Sequence, residues 1–413
     1  MRNMELLAPA GGMEQLKMAV HFGANAVYLA GRRWGMRSAC RNFSAEELAE
    51  AVGYAHSHGV AVHVTVNVLM RQEDFAKDAL PAYLSQCADA GVDAFIMGDL
   101  GAISLAREVA PDVAVHLSTQ ASCMNARAAE AYMGMGVRRV VLAREMTLAQ
   151  IAELRRDVPA ELELEAFAHG SACMAYSGRC LLSAELMGPE RSASFGACAQ
   201  PCRWGWELVE GRSGARVPLE ADEHGSYLLS SNDIRMIDHL DELAEAGVDA
   251  LKLEGRAKGS YYVACVTNAY RHVLDGDPVE PWLEELDLVS HRPYSTGFFL
   301  NKPTQNPGRE EYARERRLVA VVESCERDGD GWSATVTCRN KVEAGSYATV
   351  LSPGEPPREV ALGRDLAPTG HRIRCACPSR WLRWTSSARE AAVLGSLQGC
   401  PLRRTDLRVS VFQ

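Results

Sequence analysis

The most informative absences in this 413-residue sequence concern localisation. The first residues, MRNMELLAPAGG, contain no apolar stretch of the length that a secretory signal peptide needs. No apolar run approaches the roughly 18 residues that a membrane-spanning helix requires. We therefore expect a cytoplasmic protein that does not enter a membrane and whose thiols stay reduced.

The sequence also lacks the motifs of several enzyme classes. No GxGxxG or GxxxxGK[ST] follows an apolar segment, so a dinucleotide-binding or P-loop fold has no support. HExxH and GxSxG, the signatures of common metallopeptidases and serine hydrolases, are absent as well.

Excess positive charge is lacking too, because the net charge is −9. Broad, nonspecific nucleic-acid binding needs a basic surface, so the net charge argues against it but leaves room for a local one. Basic residues cluster in RRWGMR (32–37) and REEYARERR (309–317). We interpret each cluster as a solvated face.

What the sequence does contain is a regular alternation of short apolar runs and helical patterns from residue 5 to about 276. The pattern predicts eight strand–helix units, and eight parallel strands are the number that closes a TIM-like (β/α)8 barrel. An open doubly wound sheet is the alternative. The eight predicted strands are ELLAPA (5–10), AVYLAG (26–31), AVHVTVN (61–67), AFIMGD (94–99), AVHLSTQ (114–120), RRVVLARE (138–145), LELEAFAHG (162–170) and ALKLEGR (250–256).

Three helices carry an N-terminal signal in the sequence. The segment 44–59 begins with Ser44, has Glu47 three residues later and ends on glycine, which predicts a capping box. TLAQIAELRRDV and NDIRMIDHLDELAEAG open with Thr147 and Asn232 in the same way.

The sequence predicts two domains, of which the first is a barrel over residues 1–291. A cysteine-rich insertion at 171–233 follows its seventh strand, where the loops of a barrel carry chemistry. A turn-rich linker spans 292–316. Residues 317–413 contain short runs such as RLVAVVESCE and GWSATVTCRN, which predict a small antiparallel β-barrel or sandwich.

Four of the 13 cysteines lie close together with the spacing C-x6-C-x17-C-x3-C, as Cys173, Cys180, Cys198 and Cys202. Four thiolates can hold a [4Fe–4S] cluster or a Zn²⁺ ion. Zinc sites favour pairs separated by two to four residues, which the first gap does not match. Spacing alone leaves three interpretations open: iron–sulfur, zinc, and unliganded redox cysteines. The other nine cysteines are interpreted as structural or uninformative.

Polar side chains cluster at the ends of the predicted strands, where a barrel has its substrate site. Arg144 and Arg256, helped by Lys252 or Lys258, could clamp a dicarboxylate or a phosphate. A nucleophile pair of His169 with Ser171 or Cys173 is a weaker alternative. The strand-end residues are Asn67, Asp99, Ser118, Gln120, Arg144, Glu145, Glu165, His169, Glu254 and Arg256.

The segment EAFAHGSACMAYSGRCLLS (165–183) resembles the signature of the collagenase-like peptidase family U32. ELLAPAGG, STQ (118–120), LARE (142–145) and LKLEGRAKGSYY (251–262) are similar to further motifs of that family, so the resemblance covers essentially the whole chain. Within the family, FGACAQPCRWGW followed by EHGSYLLSSNDIRMIDHL is most similar to the branch implicated in tRNA hydroxylation.

This resemblance implies formation of 5-hydroxyuridine at the wobble position of tRNA, with prephenate as a co-substrate. It also implies a [4Fe–4S] cluster on Cys173, Cys180, Cys198 and Cys202. The expected partners are tRNA and a small anionic metabolite, and the sequence specifies no protein partner. As candidate catalytic residues we name Glu165, His169, Arg144, Glu254 and Arg256. As candidates for binding the anionic co-substrate we name Arg144, Arg256 and Lys258.

Three other functions stay open at this point. One is a collagenase-like peptidase that depends on Cys173 or Ser171. The second is hydroxylation of an rRNA cytidine or of a quinone precursor, as in sister branches of the family. The third is a non-catalytic, zinc-containing module that binds RNA or protein.

Overall fold

A computed structural model describes most of the barrel and part of the C-terminal region. The described residues divide into two compact units, Met1–Val279 with Ser290–Ala313, and Glu280–Val289 with Arg314–Gln413. The domain boundaries predicted at 291 and 316 stay a prediction, and residues 301–315 of the predicted linker lie outside the described residues. The structure describes residues 4–37, 40–172, 180–204, 207–209, 211–214, 216–218, 232–300, 316, 318–328, 331–340, 347–361, 367–369, 372–377 and 410–412.

Eight parallel strands of the first unit form a closed barrel. Each of the first seven strands pairs with its neighbours in chain order. The eighth barrel strand, Ala250–Leu253, pairs in parallel with both the first, Glu5–Pro9, and the seventh, Glu163–Ser171. The predicted TIM-like barrel is therefore confirmed. The strands of this unit are β1 (Glu5–Pro9), β2 (Ala26–Leu29), β3 (Ala61–Val66), β4 (Ala94–Met97), β5 (Ala114–Leu117), β6 (Val137–Val141), β7 (Glu163–Ser171), β8 (Glu207–Val209), β9 (Arg216–Pro218), β10 (Asp233–Arg235), β11 (Ala250–Leu253) and β12 (Tyr294–Ser295).

Helices follow the barrel strands. Two of the three predicted caps are present: Ser44 accepts from the amide of Glu47, whose carboxylate accepts in return, and Thr147 forms the same box with Gln150. The helices of this unit are α1 (Met13–His21), α2 (Ala45–Ser57), α3 (Leu80–Asp89), α4 (Leu100–Val109), α5 (Ala126–Gly134), α6 (Leu148–Asp157), α7 (Leu182–Met187), α8 (Leu240–Glu245) and α9 (Ser260–Asp275).

The predicted helix start at Asn232 is wrong. This segment begins as strand β10, continues as a 3₁₀ turn, and becomes helical only at Leu240, with no side-chain cap. The reason is tertiary: the end of β7 offers backbone groups that β10 pairs with, so Ile234 lies opposite Gly170. Asp233 accepts from the Arg292 guanidinium, at 3.1 Å from Nε and 2.9 Å from Nη2.

The barrel interior contains a packed layer of apolar side chains. Burial of these groups supplies most of the free energy that holds the strands together. This layer separates the two ends of the barrel, which carry different charged groups. Its members are Leu7, Ala26, Tyr28, Ile96, Val141 and Phe167.

The second unit contains a seven-stranded sheet and the helix α10 (Glu280–Leu288). Its strand pairs are antiparallel, as the sequence predicts. Closure of this sheet into a barrel stays a prediction. None of the helices in the described part of the chain is long and apolar enough to cross a membrane. The strands are β13 (Leu318–Asp328), β14 (Gly331–Cys338), β15 (Tyr347–Ser352), β16 (Glu355–Ala361), β17 (Ala367–Thr369), β18 (Arg372–Cys377) and β19 (Ser410–Phe412).

Candidate active site at the carboxyl end of the barrel

A cavity of about 120 Å³ lies at the carboxyl ends of the barrel strands. Its apolar floor is the interior layer, and its walls are the loops that follow β2, β3, β5, β6 and β11, together with part of the cysteine-rich insertion. We call this space the mouth cavity. Among its lining residues are the predicted strand-end residues Asn67, Ser118, Gln120, Arg144, Glu254 and Arg256.

Arg256 is held in the wall of the mouth cavity by neutral partners. Its Nη1 donates to the Thr65 hydroxyl and its Nη2 to the Asn42 amide oxygen, each at 2.8 Å. Its Nε is buried and has no partner among the described residues. Burial lowers the pKa of this guanidinium. No described carboxylate forms an ion pair with it, although Glu254 attracts it through space, so its charge is balanced only in part by the chain that the structure describes.

Arg144 provides a second such charge. Its guanidinium lies 3.8 Å from the centre of the Phe167 ring, which holds it by a cation–π contact. Its Nε is also buried without a partner in the described residues. Arg144 and Arg256 therefore place two guanidinium groups in the wall of the mouth cavity. Guanidinium groups bind carboxylates and phosphates through paired hydrogen bonds.

Glu254 is the carboxylate that lines the same cavity. Burial alone raises its pKa, but the guanidinium groups around it outweigh burial and lower the pKa overall. Arg37 approaches it to 3.3 Å, and the Tyr28 hydroxyl donates to it at 3.1 Å. It is therefore ionised at neutral pH and already has hydrogen-bond donors.

Sequence reasoning missed Arg37, which lines this wall, and Asn42, which holds Arg256 in it. Both lie after β2 and both adopt positive φ, 71° and 51°, which side chains other than glycine rarely do. We interpreted the cluster containing Arg37 as a solvated face. The available signal was the spacing of WGMRSACRN after a strand end, the position at which barrel loops carry function.

Glu165 lies on the opposite side of the interior layer, in the N-terminal half of the barrel. It is fully buried, and its carboxylate accepts from Lys252 at 2.7 Å and from Arg139 at 3.3 Å. These two cations lower its pKa although burial raises it. Glu165 is not among the residues that line the mouth cavity.

His169 and Lys258 also lie outside the wall of the mouth cavity. The Nδ1 of His169 is 3.3 Å from the Tyr270 hydroxyl, and burial lowers the pKa of the ring to about 3. Its Nε2 is buried and has no partner in the described part of the chain. Lys258 lines an adjoining space and donates to the Ser290 carbonyl at 2.7 Å.

Three of the four clustered cysteines line the mouth cavity: Cys180, Cys198 and Cys202. Each is half-buried and outside any disulfide, and the Cys198 sulfur accepts the Gln200 amide at 3.3 Å. Cys173 lies outside the described residues. Within those residues, no three His, Cys, Asp or Glu side chains are arranged to share one ion. The donor chemistry, several thiols in a partly buried wall, suits iron–sulfur or zinc and not magnesium or calcium.

The sequence matches the profile of Peptidase family U32 over residues 11–308. The chain belongs to peptidase family U32. The resemblance inferred from the sequence motifs is therefore confirmed.

Curated U32 relatives carry two kinds of name. "tRNA hydroxylation protein P1" of Bacillus subtilis (strain 168) is 38% identical, over 84% of this chain and 83% of its own length. "tRNA hydroxylation protein P" of Escherichia coli (strain K12) is 33% identical, over 84% and 86%. "Collagenase" of Porphyromonas gingivalis (strain ATCC BAA-308 / W83) is 33% identical, over 73% of this chain and 74% of its own length.

The arrangement of side chains in this U32 barrel does not favour a peptidase. Ser171 lines the mouth cavity, but the ring of His169 bonds to Tyr270 and not to that hydroxyl. A serine or cysteine nucleophile needs a base within hydrogen-bond reach. The described residues supply no such pair here.

Proposed function

We propose that this protein is an enzyme that hydroxylates tRNA, forming 5-hydroxyuridine at the wobble position with a small anionic co-substrate such as prephenate. The observation that carries the proposal is the mouth cavity itself. It combines three thiols with two guanidinium groups that form no ion pair with a described carboxylate, in a chain whose relatives at 38% and 33% identity are named for tRNA hydroxylation.

The two guanidinium groups have different tasks in this proposal. Arg256, oriented by Thr65 and Asn42, binds a carboxylate of the co-substrate, and Arg144 binds a second carboxylate or the same one from the Phe167 side. Glu254 stays ionised between them and keeps a second anion from entering its part of the cavity.

The uracil base is recognised by uncharged groups. Asn67 and Gln120 line the same cavity and carry both donors and acceptors, which match the edge of a pyrimidine. A base reaches such a cavity only when it is unstacked, which is easiest in a single-stranded anticodon loop. The apolar floor, including Tyr28 and Phe167, excludes water from one side of the base.

Cys173, Cys180, Cys198 and Cys202 are the residues that we propose to hold a [4Fe–4S] cluster. When bound, the cluster supplies one-electron chemistry that this chain's side chains cannot perform. The Gln200 amide donates to the Cys198 sulfur, and hydrogen bonds to ligand sulfurs are among the features that set the reduction potential of a cluster.

Nucleoside mass spectrometry of total RNA from a deletion strain tests the function. We expect loss of 5-hydroxyuridine derivatives from tRNA, restoration by the wild-type chain, and no restoration by Cys198→Ser or Arg144→Gln. An unchanged tRNA profile would overturn the proposal. Loss of a modified rRNA cytidine or of a quinone instead would reassign the protein to a sister activity.

The cofactor has its own test. Anaerobically purified protein is expected to contain iron and sulfide, and each of the four Cys→Ser variants is expected to lose them. Stoichiometric zinc without iron would overturn the cluster and favour a zinc-containing module. Cleavage of collagen peptides that survives removal of iron and is lost in Ser171→Ala would favour the peptidase.

A further inference from the structure

A second space adjoins the mouth cavity and shares part of its wall. It measures about 290 Å³, and Cys198 and Arg256 are among the residues that line both spaces. Its other walls come from the start of α1, the loop after β2 and the loop after β11. We call it the α1 chamber, lined among others by Gly11, Gln15, Arg37, Arg41, Arg256 and Lys258.

The charges around the α1 chamber have one sign. Its ionised lining residues are Arg37, Arg41, Arg256 and Lys258, and no described carboxylate belongs to the lining. Arg41 is exposed, and its guanidinium pairs at 2.8 Å with Glu47, which does not line the chamber. Arg37 likewise pairs at 3.3 Å with Glu254, which does not line the chamber. The lining itself therefore contains positive charge alone, and positive charge of this kind attracts anions.

Helix α1 adds a positive helix terminus to the same wall. It has nine residues and begins at Met13, and Gly12, the residue before it, provides no side-chain cap. Gly11 permits this arrangement, since a Cβ there would lie 2.1 Å from the Arg256 carbonyl oxygen. Glu14, the acidic residue of the first turn, accepts from the Ser260 hydroxyl at 3.0 Å and does not line the chamber. Backbone amides at such a terminus bind phosphate.

Arg256 provides the independent sign of a missing ligand. The residue is only 4% exposed, and its Nε has no hydrogen-bond partner in the described part of the chain. Burying a cationic donor without a partner costs free energy, which an anionic ligand would offset. Because Arg256 lines both spaces, it can serve a ligand in either one.

We propose that the α1 chamber binds a backbone phosphate of the RNA substrate, next to the nucleotide whose base enters the mouth cavity. This inference rests on the function proposed above. Two adjoining spaces with a common wall suit the phosphate and the base of neighbouring positions on one strand. Phosphate contacts fix the register of the strand, while the base is read elsewhere. Arg41 is open to solvent and within reach of a macromolecule.

The test uses the full-length protein and two single variants, Arg41→Gln and Lys258→Gln. Binding of unmodified tRNA is measured at several salt concentrations, and binding of prephenate is measured separately. Each variant is expected to bind tRNA about tenfold more weakly, with the salt dependence reduced by about one ion, because one phosphate contact is lost. Prephenate affinity is expected to stay at the wild-type value in Arg41→Gln, which changes no residue named for co-substrate binding.

Arg127→Gln is the matched control. Arg127, like Arg41, is exposed and pairs with a glutamate, Glu130 at 3.6 Å, but it lies on α5. Wild-type affinity for tRNA in Arg41→Gln and Lys258→Gln would overturn the α1 chamber as a phosphate site. Weakened prephenate binding with intact tRNA binding would also overturn it and give the chamber to the co-substrate. The deletion strain decides the proposed function independently of both outcomes.

Discussion

Charged side chains at the two ends of the barrel have different kinds of partner. In the N-terminal half, Arg139 donates to Glu5 and Glu163 at 2.6 Å each and to Glu165 at 3.3 Å, and Lys252 completes the network. At the carboxyl end, Arg144 and Arg256 are held by an aromatic ring, a hydroxyl and an amide.

This difference separates charge that stabilises the fold from charge that serves a ligand. A buried ion is tolerated when opposite charges and hydrogen bonds surround it, as around Arg139. The buried guanidinium of Arg256 and the partly buried one of Arg144 form no such ion pair with a described carboxylate. The N-terminal network is thus complete in the chain itself, whereas we propose that an anion from outside completes the mouth cavity.

The largest expected effect tests the N-terminal network. Glu165→Gln leaves Lys252 and Arg139 without a buried counter-charge and should destabilise the barrel by about 3–5 kcal/mol. Urea denaturation measures this. Glu163→Gln is the matched control, because Glu163 binds the same arginine from a position that is 48% exposed; we expect about 1 kcal/mol or less. Equal stability of both variants would remove the distinction between the two ends.

Acidification tests the same half of the barrel through His63. Burial lowers the pKa of His63 from its ordinary 6.5 to about 4. The unfolded chain therefore takes up this proton first as the pH falls. Stability present above pH 6.5 is lost between 6.5 and about 4, by about 3 kcal/mol from this residue.

Melting temperatures between pH 8 and pH 5 check this expectation. His63→Gln should make the profile less steep but not flat, because burial also lowers the pKa of His116 and His169, which still contribute. His58→Gln, at an exposed position, should leave the slope unchanged. A profile that is equally steep in His63→Gln would show that other groups dominate the acid response.

At the mouth cavity, Arg144→Gln should weaken binding of the anionic co-substrate by about 10- to 100-fold, because one charge-assisted contact is lost. Stability should fall only modestly, because Glu254 loses one nearby guanidinium group but keeps its contacts with Arg37 and Tyr28. Isothermal titration with prephenate and thermal unfolding measure the two effects. Arg138→Gln, at an exposed position of β6, is the control. Destabilisation without loss of binding would assign Arg144 to the fold.

The smallest expected effect comes from a substitution that introduces a carboxylate beside Arg256, at the carboxyl end of the barrel. Asn42→Asp would place an acid 2.8 Å from the Arg256 guanidinium, at a left-handed position that aspartate tolerates. We expect only a small net change in stability, because the new ion pair is offset by desolvation and by loss of the hydrogen bond that Asn42 Nδ2 donates to the Arg37 carbonyl oxygen at 3.3 Å. Anion affinity should fall by about threefold to tenfold. Undiminished affinity would show that Arg256 does not serve the anion.

Much of the barrel was predictable because local patterns agree with the tertiary structure. The eight apolar runs became the eight barrel strands, and Ser44 and Thr147 cap helices as their spacing indicates. The helix start predicted at Asn232 was wrong because the prediction used a local signal. The segment instead pairs with the edge of β7, which lies far away in sequence.

The site was predictable only in part. Strand-end position correctly indicated that Arg144, Glu254 and Arg256 line one cavity. It did not distinguish them from Glu165, since β7 is long and its third residue still lies within the barrel. Arg37 and Asn42 gave no periodic signal, because they lie on a loop whose conformation depends on its neighbours.

By itself, the sequence determined the strand–helix order, the family and the concentration of cysteines in one insertion, because each depends on residues that are near one another in the chain. Only the tertiary structure decided which charges have partners. The carboxylate that neutralises Lys252 is 87 residues away, and the groups that hold Arg256 are 191 and 214 residues away. Closing the barrel is what brings these groups together, and it leaves two guanidinium groups in the mouth cavity without a described carboxylate partner.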